Sequence, residues 1–594
     1  MTTKDKPRPR LVRAVGRLAA RPVERVLGWI ALDRLHAETR SDGLAGTDHL
    51  TATLGKLGVT VTCTGAPKLG EGALLVVANL PFGGVEAVAL LRELLAQRPD
   101  ACLLADRGLL RLMGLEEFAL PLAGGQARSS TDTGRTVPGE LASARAWLEA
   151  GGALLTFPAV GASGPAAIQD GLDGRWSHDL GALVEATRPV VQPVHVDGHP
   201  GGLSLVTGAI SARLRRALLP RELLGRRAST LGLTFGRALG PETWGRYRGA
   251  ASLMGYLRLA TYALASSESP AARVTPPEPG VAGPEPLAAA EDPDELEAEL
   301  ARLPVSSKLL AVGDLDVYLA EAGEVPRVLA ELGRLRETTF RAVGEGTGRA
   351  RDLDAFDPHY EHLFLWDRVR QRVVGAYRLG RTDRLLATFG ARGLYTSSLF
   401  RYRRGFLAGL GPAVELGRAF VVADYQRGHL PLLLLWQGIG RFVAANPRYA
   451  TLFGPVSISA DYTHVTRYVM ARRLLSATGG RPDARGNYRM SRRGVAGVDL
   501  ESLIDLAGSI EELGRLVADI DPEQKGIPVL LRQYLKLHGR VLAFSVDEDF
   551  GGSLDALLVM DLRDNDQRTL RRYLGDEGLA TFQAHHTEPG LVAV

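Results

Sequence analysis

The run Val414-Glu415-Leu416-Gly417-Arg418-Ala419-Phe420-Val421-Val422 sets a carboxylate and a guanidinium three residues apart in an otherwise apolar stretch. Its length and composition are those of a buried strand, where desolvation penalises an ionised group heavily. Two outcomes are open: Glu415 and Arg418 neutralise each other as a structural pair, or they line a cavity whose ligand needs them. Upstream, Arg341-Ala342-Val343-Gly344-Glu345-Gly346-Thr347-Gly348-Arg349 places Glu345 in a glycine-rich loop, with Asp352, Asp354 and Asp357 close behind. Such glycines can cradle a phosphate, although a lone glycine-rich loop is a weak signal. The acids hint at calcium only faintly, because the turn glycine and the closing bidentate glutamate of a calcium loop are missing. No metal is expected.

Elements able to position these residues are visible in the patterning. A helix over Val325 to Phe340 puts Arg336 and Phe340 on one face. Leu309–Val312 and Leu315–Ala320 read as strands joined by the turn Gly313-Asp314. Glu361–Trp366 and Val373–Leu379 form a second hairpin that brings Arg378 beside the opening strand, and Pro431–Gly440 is an apolar helix packed behind the Glu415 strand. Toward the end, Ile527–Leu537 reads as a helix and Val541–Val546 and Ala556–Met560 as strands, with Asp547-Glu548-Asp549 as a solvated loop. Six prolines among Ala, Ser, Gly and Glu over 266–290 mark an extended linker between domains.

A length of 594 residues exceeds one hydrophobic core. The formal net charge of +4 is too small for this length to suggest a nucleic-acid partner. Two cysteines, Cys63 and Cys102, suit a reducing compartment and read as small buried residues. Residues 1–40 hold ten basic and four acidic side chains interleaved with Leu, Val, Ile and Trp, so part of this segment is either a basic amphipathic helix for an anionic membrane surface or else a solvated arm or an ordinary docking helix. No apolar run of 18 or more residues occurs and the amino terminus lacks a signal-peptide core, which leads to the expectation of a cytoplasmic protein, at most peripheral to the inner face of the membrane.

Between about 45 and 250, short apolar runs alternate with helical patterns as in an α/β domain. Leu74–Ala78 leads into Asn79-Leu80-Pro81-Phe82-Gly83-Gly84-Val85-Glu86, and further strands are expected at Leu154–Ala159 and Val190–Asp197. With Phe157-Pro158-Ala159 and Pro220-Arg221-Glu222-Leu223-Leu224, these stretches resemble the glycerolipid and lysophospholipid acyltransferases, in the subgroup often described as hemolysin-like. That family carries a histidine directly after the asparagine, where it takes the proton of the acceptor hydroxyl while a carboxylate orients it. Here the position is Leu80, which accepts no proton, and Glu86 has no imidazole to orient. Where relatives carry Gly-Glu after Phe-Pro-Ala, this chain has Val160-Gly161. The resemblance implies a degenerate domain that kept the fold and lost the chemistry; substitution by His195 or His199 is the competing possibility.

From about Ser306 to Leu579 the chain resembles the acyl-carrier-protein-dependent N-acyltransferases that make ornithine lipids and related lipoamino acids, relatives of acyl-homoserine lactone synthases on a GNAT-like fold. The motifs are Phe340–Gly348, Gly375-Ala376-Tyr377-Arg378, Gly393-Leu394-Tyr395-Thr396, Glu415-Leu416-Gly417-Arg418, Leu452–Ser459 and Ile527–Tyr534. Ala419 departs from the serine usual in lipid-forming relatives. The resemblance implies that an amine attacks a thioester, which requires a base, a donor for the carbonyl oxygen and anchors for an amino acid. Glu345 and Glu415 are the base and orienting candidates, with Glu345 the better base because Arg418 stands close to Glu415. Arg336, Arg341 and Arg378 are candidates for the acceptor carboxylate or the donor's phosphopantetheine, with Phe340 beside them, and Asp354 and Asp357 for the acceptor amine.

The expected fold is thus α/β in two domains: a basic segment over 1–40, a lysophospholipid-acyltransferase-like α/β domain over 41–265, a Pro-rich linker over 266–290, and a GNAT-like mixed α/β domain over 291–594. The expected function is transfer of a fatty acyl chain from acyl carrier protein, or from acyl-CoA, to the α-amine of ornithine or a similar small amino acid, with no bound cofactor. The alternatives are O-acylation of a lysophospholipid or lyso-ornithine lipid by the first domain, and a non-catalytic lipid-binding scaffold.

Overall fold

The computed structural model describes residues 29–41, 43–65, 67–80, 84–105, 110, 113–121, 141–160, 175–197, 229–266, 283–476, 483–490 and 506–587. The basic residues before 29, Gly161, His199, Pro220–Leu224 and most of the Pro-rich stretch lie outside them. By its contacts the chain divides into two units, the first ending at Ser267 and the second starting at Glu268. The division departs from the expected one in that the later residues 506–508 and 518–524 group with the first unit. Within that unit Asp519 accepts a hydrogen bond from Tyr247 Oη at 2.9 Å.

Besides a separate short pair, Ala159–Val160 with Arg175–Trp176, the first unit has among the described residues a main sheet of seven strands: β1 (Val59–Thr64), β2 (Leu74–Ala78), β3 (Cys102–Ala105), β4 (Ala119–Pro121), β5 (Ala153–Thr156), β6 (Val190–Val196) and β7 (Ser229–Phe235). Their order is β1-β7-β6-β2-β5-β3-β4, with every pair parallel except β6 with β7. All five residues of β2 are buried, as a central parallel strand covered on both faces demands. Asn79 follows β2, and its side chain donates to Val196 O and accepts from Val196 N, bridging the ends of β2 and β6. Helix α1 (Val85–Leu95) begins just beyond, and Glu86 is buried with its carboxylate accepting from Gly84 N at 3.0 Å; helix α2 (Ala250–Ala263) rests against β6. Contrary to expectation, Cys63 is exposed and Cys102 half-buried, because β1 is an edge strand and Cys102 opens β3.

The second unit has an eight-stranded sheet. Its strands are β8 (Lys308–Val312), β9 (Leu315–Glu321), β10 (Glu361–Asp367), β11 (Arg372–Arg381), β13 (Ala413–Val421), β14 (Thr451–Ile458), β16 (Arg540–Asp547) and β17 (Ser553–Asp561). A separate two-stranded ribbon pairs β12 (Arg401–Tyr402) with β15 (Ala484–Arg485). The large sheet runs β8-β9-β10-β11-β13-β14-β17-β16. Both expected hairpins are present, with Gly313 at φ +59° in the first and Arg378 opposite His362 in the second. Helix α3 (Pro326–Arg341) packs on one face, where Val328, Leu332, Phe364, Trp366 and Phe420 form a buried cluster. Burial of such side chains contributes about 1.5–3 kcal/mol each. Helix α4 (Leu430–Ala445) is the expected apolar helix, and it rests against β9, β10 and β11 rather than directly behind β13. No helix among the described residues is long and apolar enough to cross a membrane.

The linker reading holds less well at its end. Residues after 283 bind to the loop that follows α3: Glu285 N donates to Gly348 O at 2.7 Å and Ala288 N to Ala350 O at 3.1 Å.

Candidate active site

The site starts from a break in the sheet. β13 and β14 are the only parallel neighbours in it, and their ladder covers Ala413 to Glu415 against Thr451 to Phe453 and then stops. β13 nevertheless runs on to Val421 and β14 to Ile458, each still paired on its far side with β11 and β17. Two backbone features mark the place where the ladder ends. Between the pairs Arg378/Gly417 and Ala376/Phe420, β13 advances one residue more than β11, and Arg418 takes up the extra residue at φ +50°, a β-bulge. Gly454 lies so close to Leu416 O that an added Cβ would stand 2.0 Å from it. Beyond that ladder, backbone groups on the two facing edges have no strand partner among the described residues.

A cavity of about 300 Å³ fills the gap, lined by Leu416, Gly417, Arg418 and Ala419 on one side and Pro455, Val456, Ser457 and Ser459 on the other, with Phe340, Phe550 and Tyr534 around them. Glu345 reaches this cavity from the glycine-rich loop and is 6% exposed. Ser457 Oγ donates to its carboxylate at 2.9 Å. Burial pushes the Glu345 carboxyl up to about 7, with the Ser457 hydrogen bond opposing and the negative Asp461 adding to the rise. Asp555 lines the same cavity from β17, opposite Ser457 in register. Burial, Asp547 and Glu345 hold its carboxyl well above the usual carboxylate range. The glycine-rich loop itself does not offer its amides to a phosphate: Glu337, buried on α3, accepts from Thr347 N and Gly348 N, each at 2.9 Å, and from Thr347 Oγ1 at 2.7 Å.

Glu415 and Arg418 do not pair with each other. Glu415 accepts from Thr396 N at 2.7 Å, from Tyr395 N at 3.1 Å and from the Tyr360 hydroxyl, so it pins the 395–396 turn to the strand. Burial raises its carboxyl, and these donors with Arg378 oppose that rise. Arg418, turned by the bulge, meets Asp352 (Nε to Oδ2, 3.0 Å) and Asp354 (Nη2 to Oδ2, 3.4 Å), and its Nη1 donates to Tyr395 Oη at 3.2 Å.

The other expected anchors are largely occupied by one another. Arg336 is fully buried, with Nη1 on Asp357 at 2.7 Å and Nη2 3.3 Å from His362 Nδ1. Burial and the neighbouring Arg336 cation push the His362 ring down to about 4, so it is neutral there. Arg378 is also fully buried and donates to Asp354 at 2.6 Å, with Asp357 at 3.2 Å and the rings of Tyr360, Tyr395 and Phe356 over its guanidinium. Asp352, Asp354 and Asp357 thus face Arg336, Arg378 and Arg418 as a neutralised set. Arg341 points away from the cavity, bound to Glu337 at 2.8 Å and to the carbonyls of Glu285 and Arg349. Phe340 alone of the α3 pair reaches the cavity, edge-on to Phe550 at 5.0 Å. Asp555, Ser457 and Tyr395 were not singled out by residue type; the signal for Asp555 was an acid inside the apolar run Ser553–Asp561, the same signal that marked Glu415. Among the described residues no cluster of His, Cys, Asp and Glu is arranged to hold a metal ion.

The family model described as an acetyltransferase (GNAT) domain matches residues 335–437, which span Glu345, Arg378, Glu415 and Arg418. The second unit thus carries a GNAT-like domain within a mixed α/β fold. A glycine N(alpha)-acyltransferase of Bacteroides thetaiotaomicron is 35% identical over 157 residues, 25% of this chain and 47% of that protein. An L-ornithine N(alpha)-acyltransferase of Agrobacterium fabrum is 34% identical over 115 residues, 18% of this chain and 36% of its own length. The chain spans about half the length, or less, of these curated relatives. A solved structure of a CoA-dependent acyl-homoserine lactone synthase with SAM and isopentyl-CoA aligns at TM-score 0.22 and 13% identity, over 47% of this chain and 92% of that one.

Proposed function

We propose that the second unit is an N-acyltransferase that moves an acyl chain from a thioester donor to the α-amine of a small amino acid. The observation that carries this reading is Glu345, a carboxyl poised near neutrality at the mouth of a strand gap with unpaired backbone edges. In this reading the thioester enters the gap, and its amide-bearing arm hydrogen-bonds to the free strand edges as an added strand would. Glu345 takes one ammonium proton, the amine nitrogen bonds to the carbonyl carbon, the C–S bond breaks, and the surplus proton on nitrogen passes to the departing sulfur, which leaves as the thiol while Glu345 returns its own proton to solvent. Arg418 and the Tyr395 hydroxyl, both lining the cavity, are the side-chain donors this reading assigns to the developing oxyanion. Arg336, Arg378, Asp354, Asp357 and Glu415 act one step removed, as the network that holds Arg418 and the 395–396 turn in place. The names of the glycine and ornithine acyltransferases favour an amino-acid acceptor. Acyl carrier protein and acyl-CoA end in the same arm, and either serves the chemistry described.

For the first unit we propose a lysophospholipid-acyltransferase-like domain without acyl-transfer chemistry, joined to a lipoamino-acid pathway of the ornithine-lipid type and to an anionic membrane surface through residues 1–40. Leu80 supports the loss: it follows Asn79 at the end of β2, where the resemblance calls for the proton acceptor.

The test is direct. Intact protein is incubated with acyl-CoA or acyl carrier protein and with glycine, ornithine or other amino acids, while thiol release and mass spectrometry follow the products. An N-acyl amino acid that disappears in Glu345→Gln is the expected result. Donor binding without amide formation from any amino acid would replace this reading with the lipid-binding one.

A further inference from the structure

Resting on the reading above, we infer that the acceptor's carboxylate is recognised by a pair of exposed arginines, Arg401 and Arg485, and not by the arginines of the buried network. The pair sits in an unusual place. Arg401 and Arg485 are directly opposite each other in the β12–β15 ribbon, so two like charges share one face with Cβ atoms about 5 Å apart. Such a pair is destabilising unless an anion lies between its members. Both line a second cavity, of about 910 Å³, together with Arg349 and Arg489. Among the described residues none of these four guanidinium groups has an acid or hydrogen-bond partner, whereas Arg336, Arg378 and Arg418 are all paired.

The cavity also offers the opposite charge. Asp547, Glu548 and Asp549, read from sequence as a solvated loop, line it, and Asp547 is buried with Tyr395 Oη donating to it at 3.4 Å. One side chain ties the two signs into a single frame: Asn487, two residues beyond Arg485, donates to Val546 O at 2.9 Å and accepts from Val546 N at 2.6 Å. The backbone that carries Arg485 is thereby joined to the backbone that carries Asp547, so one frame presents both signs, which suits a zwitterion. Arg418, Tyr395 and Phe550 line both cavities, so the Asp547 end adjoins the gap that holds Glu345. In this assignment the carboxylate of an α-amino acid lies between Arg401 and Arg485, and its ammonium is taken by the acidic side of the same cavity, which Asp547 and Tyr395 line. A wholly acidic partner surface would meet the three acids unfavourably.

The experiment uses the full chain, the double variant Arg401→Gln/Arg485→Gln, and the conservative Arg401→Lys/Arg485→Lys. Acceptor and donor KM values are measured with the preferred amino acid and with its carboxamide, and amino-acid binding is titrated calorimetrically without donor. The expected result is a rise of about tenfold or more in acceptor KM in the Gln pair, with the loss on KM rather than kcat, donor KM unmoved, partial rescue by the Lys pair, and wild-type preference for the acid over its carboxamide abolished. An unchanged acceptor KM overturns the assignment, as does a rise confined to the KM of acyl carrier protein, which makes the wall a carrier dock. Should the wild type acylate no amino acid, the function proposed above fails by itself, and the titration still decides the site: weaker amino-acid binding in the Gln pair upholds it, and equal binding or none in the wild type refutes it.

Discussion

The two ends of the β13–β14 interface hold two carboxyl groups that are buried almost equally, Glu415 at 1% and Glu345 at 6% exposure, and use that burial in opposite ways. At the closed end three donors converge on Glu415, which makes it an accept-only hub and part of the scaffold. At the open end Glu345 has the Ser457 hydroxyl and a cavity wall, and its proton affinity sits near neutrality. The number of donors, more than depth, separates a structural carboxylate from one able to exchange a proton.

Exchanging the roles should break the contrast most sharply at Glu345. Glu345→Gln is expected to lower kcat by about 10²–10⁴-fold. The same change removes the inflection near pH 7 that the wild-type rate should show, rising as the carboxyl ionises. The sign for stability is opposite: a carboxyl whose folded pKa is raised favours folding at low pH and loses that contribution as pH rises through about 7, so the variant should gain thermal stability relative to wild type above that pH. Arg378→Met tests the closed end by removing one of three buried cations, leaving Asp357 to Arg336 and Asp354 to Arg418 with uncompensated negative charge, and a loss of about 3–5 kcal/mol in urea unfolding is expected. A stable Met variant would mean that the network is not structural. Glu415→Gln keeps the shape but turns an NH₂ toward a donor, at a cost of about 1–3 kcal/mol; retained stability with lost activity would move Glu415 from scaffold to chemistry. Ser457→Ala has the smallest effect, a further upward shift of the rate inflection with little change in the plateau, since it removes the hydrogen bond that opposes the rise at Glu345.

Much of this was legible because local patterning decides it. The hairpins carrying Asp316 and Arg378, the α3 helix and the apolar strand around Glu415 follow from alternation and turn chemistry, and the structure keeps them. Partners across long sequence distances were not legible. Spacing leaves open whether Glu415 and Arg418 pair or line a cavity; a bulge with Arg418 at φ +50° turns its guanidinium to Asp352, and nothing in a strand's period reports a bulge. Arg341 looked like an anchor until Glu337, four residues earlier on α3, claimed both it and the glycine-rich loop. Arg401 and Arg485 lie in strands two residues long, too short for any pattern to mark.

The shared wall of the two cavities has a kinetic consequence. Since Arg418, Tyr395 and Phe550 border both, neither substrate needs to leave before the other arrives, and the proposed direct attack leaves no acylated enzyme between half-reactions. Initial-rate plots against one substrate at fixed levels of the other should therefore intersect rather than run parallel.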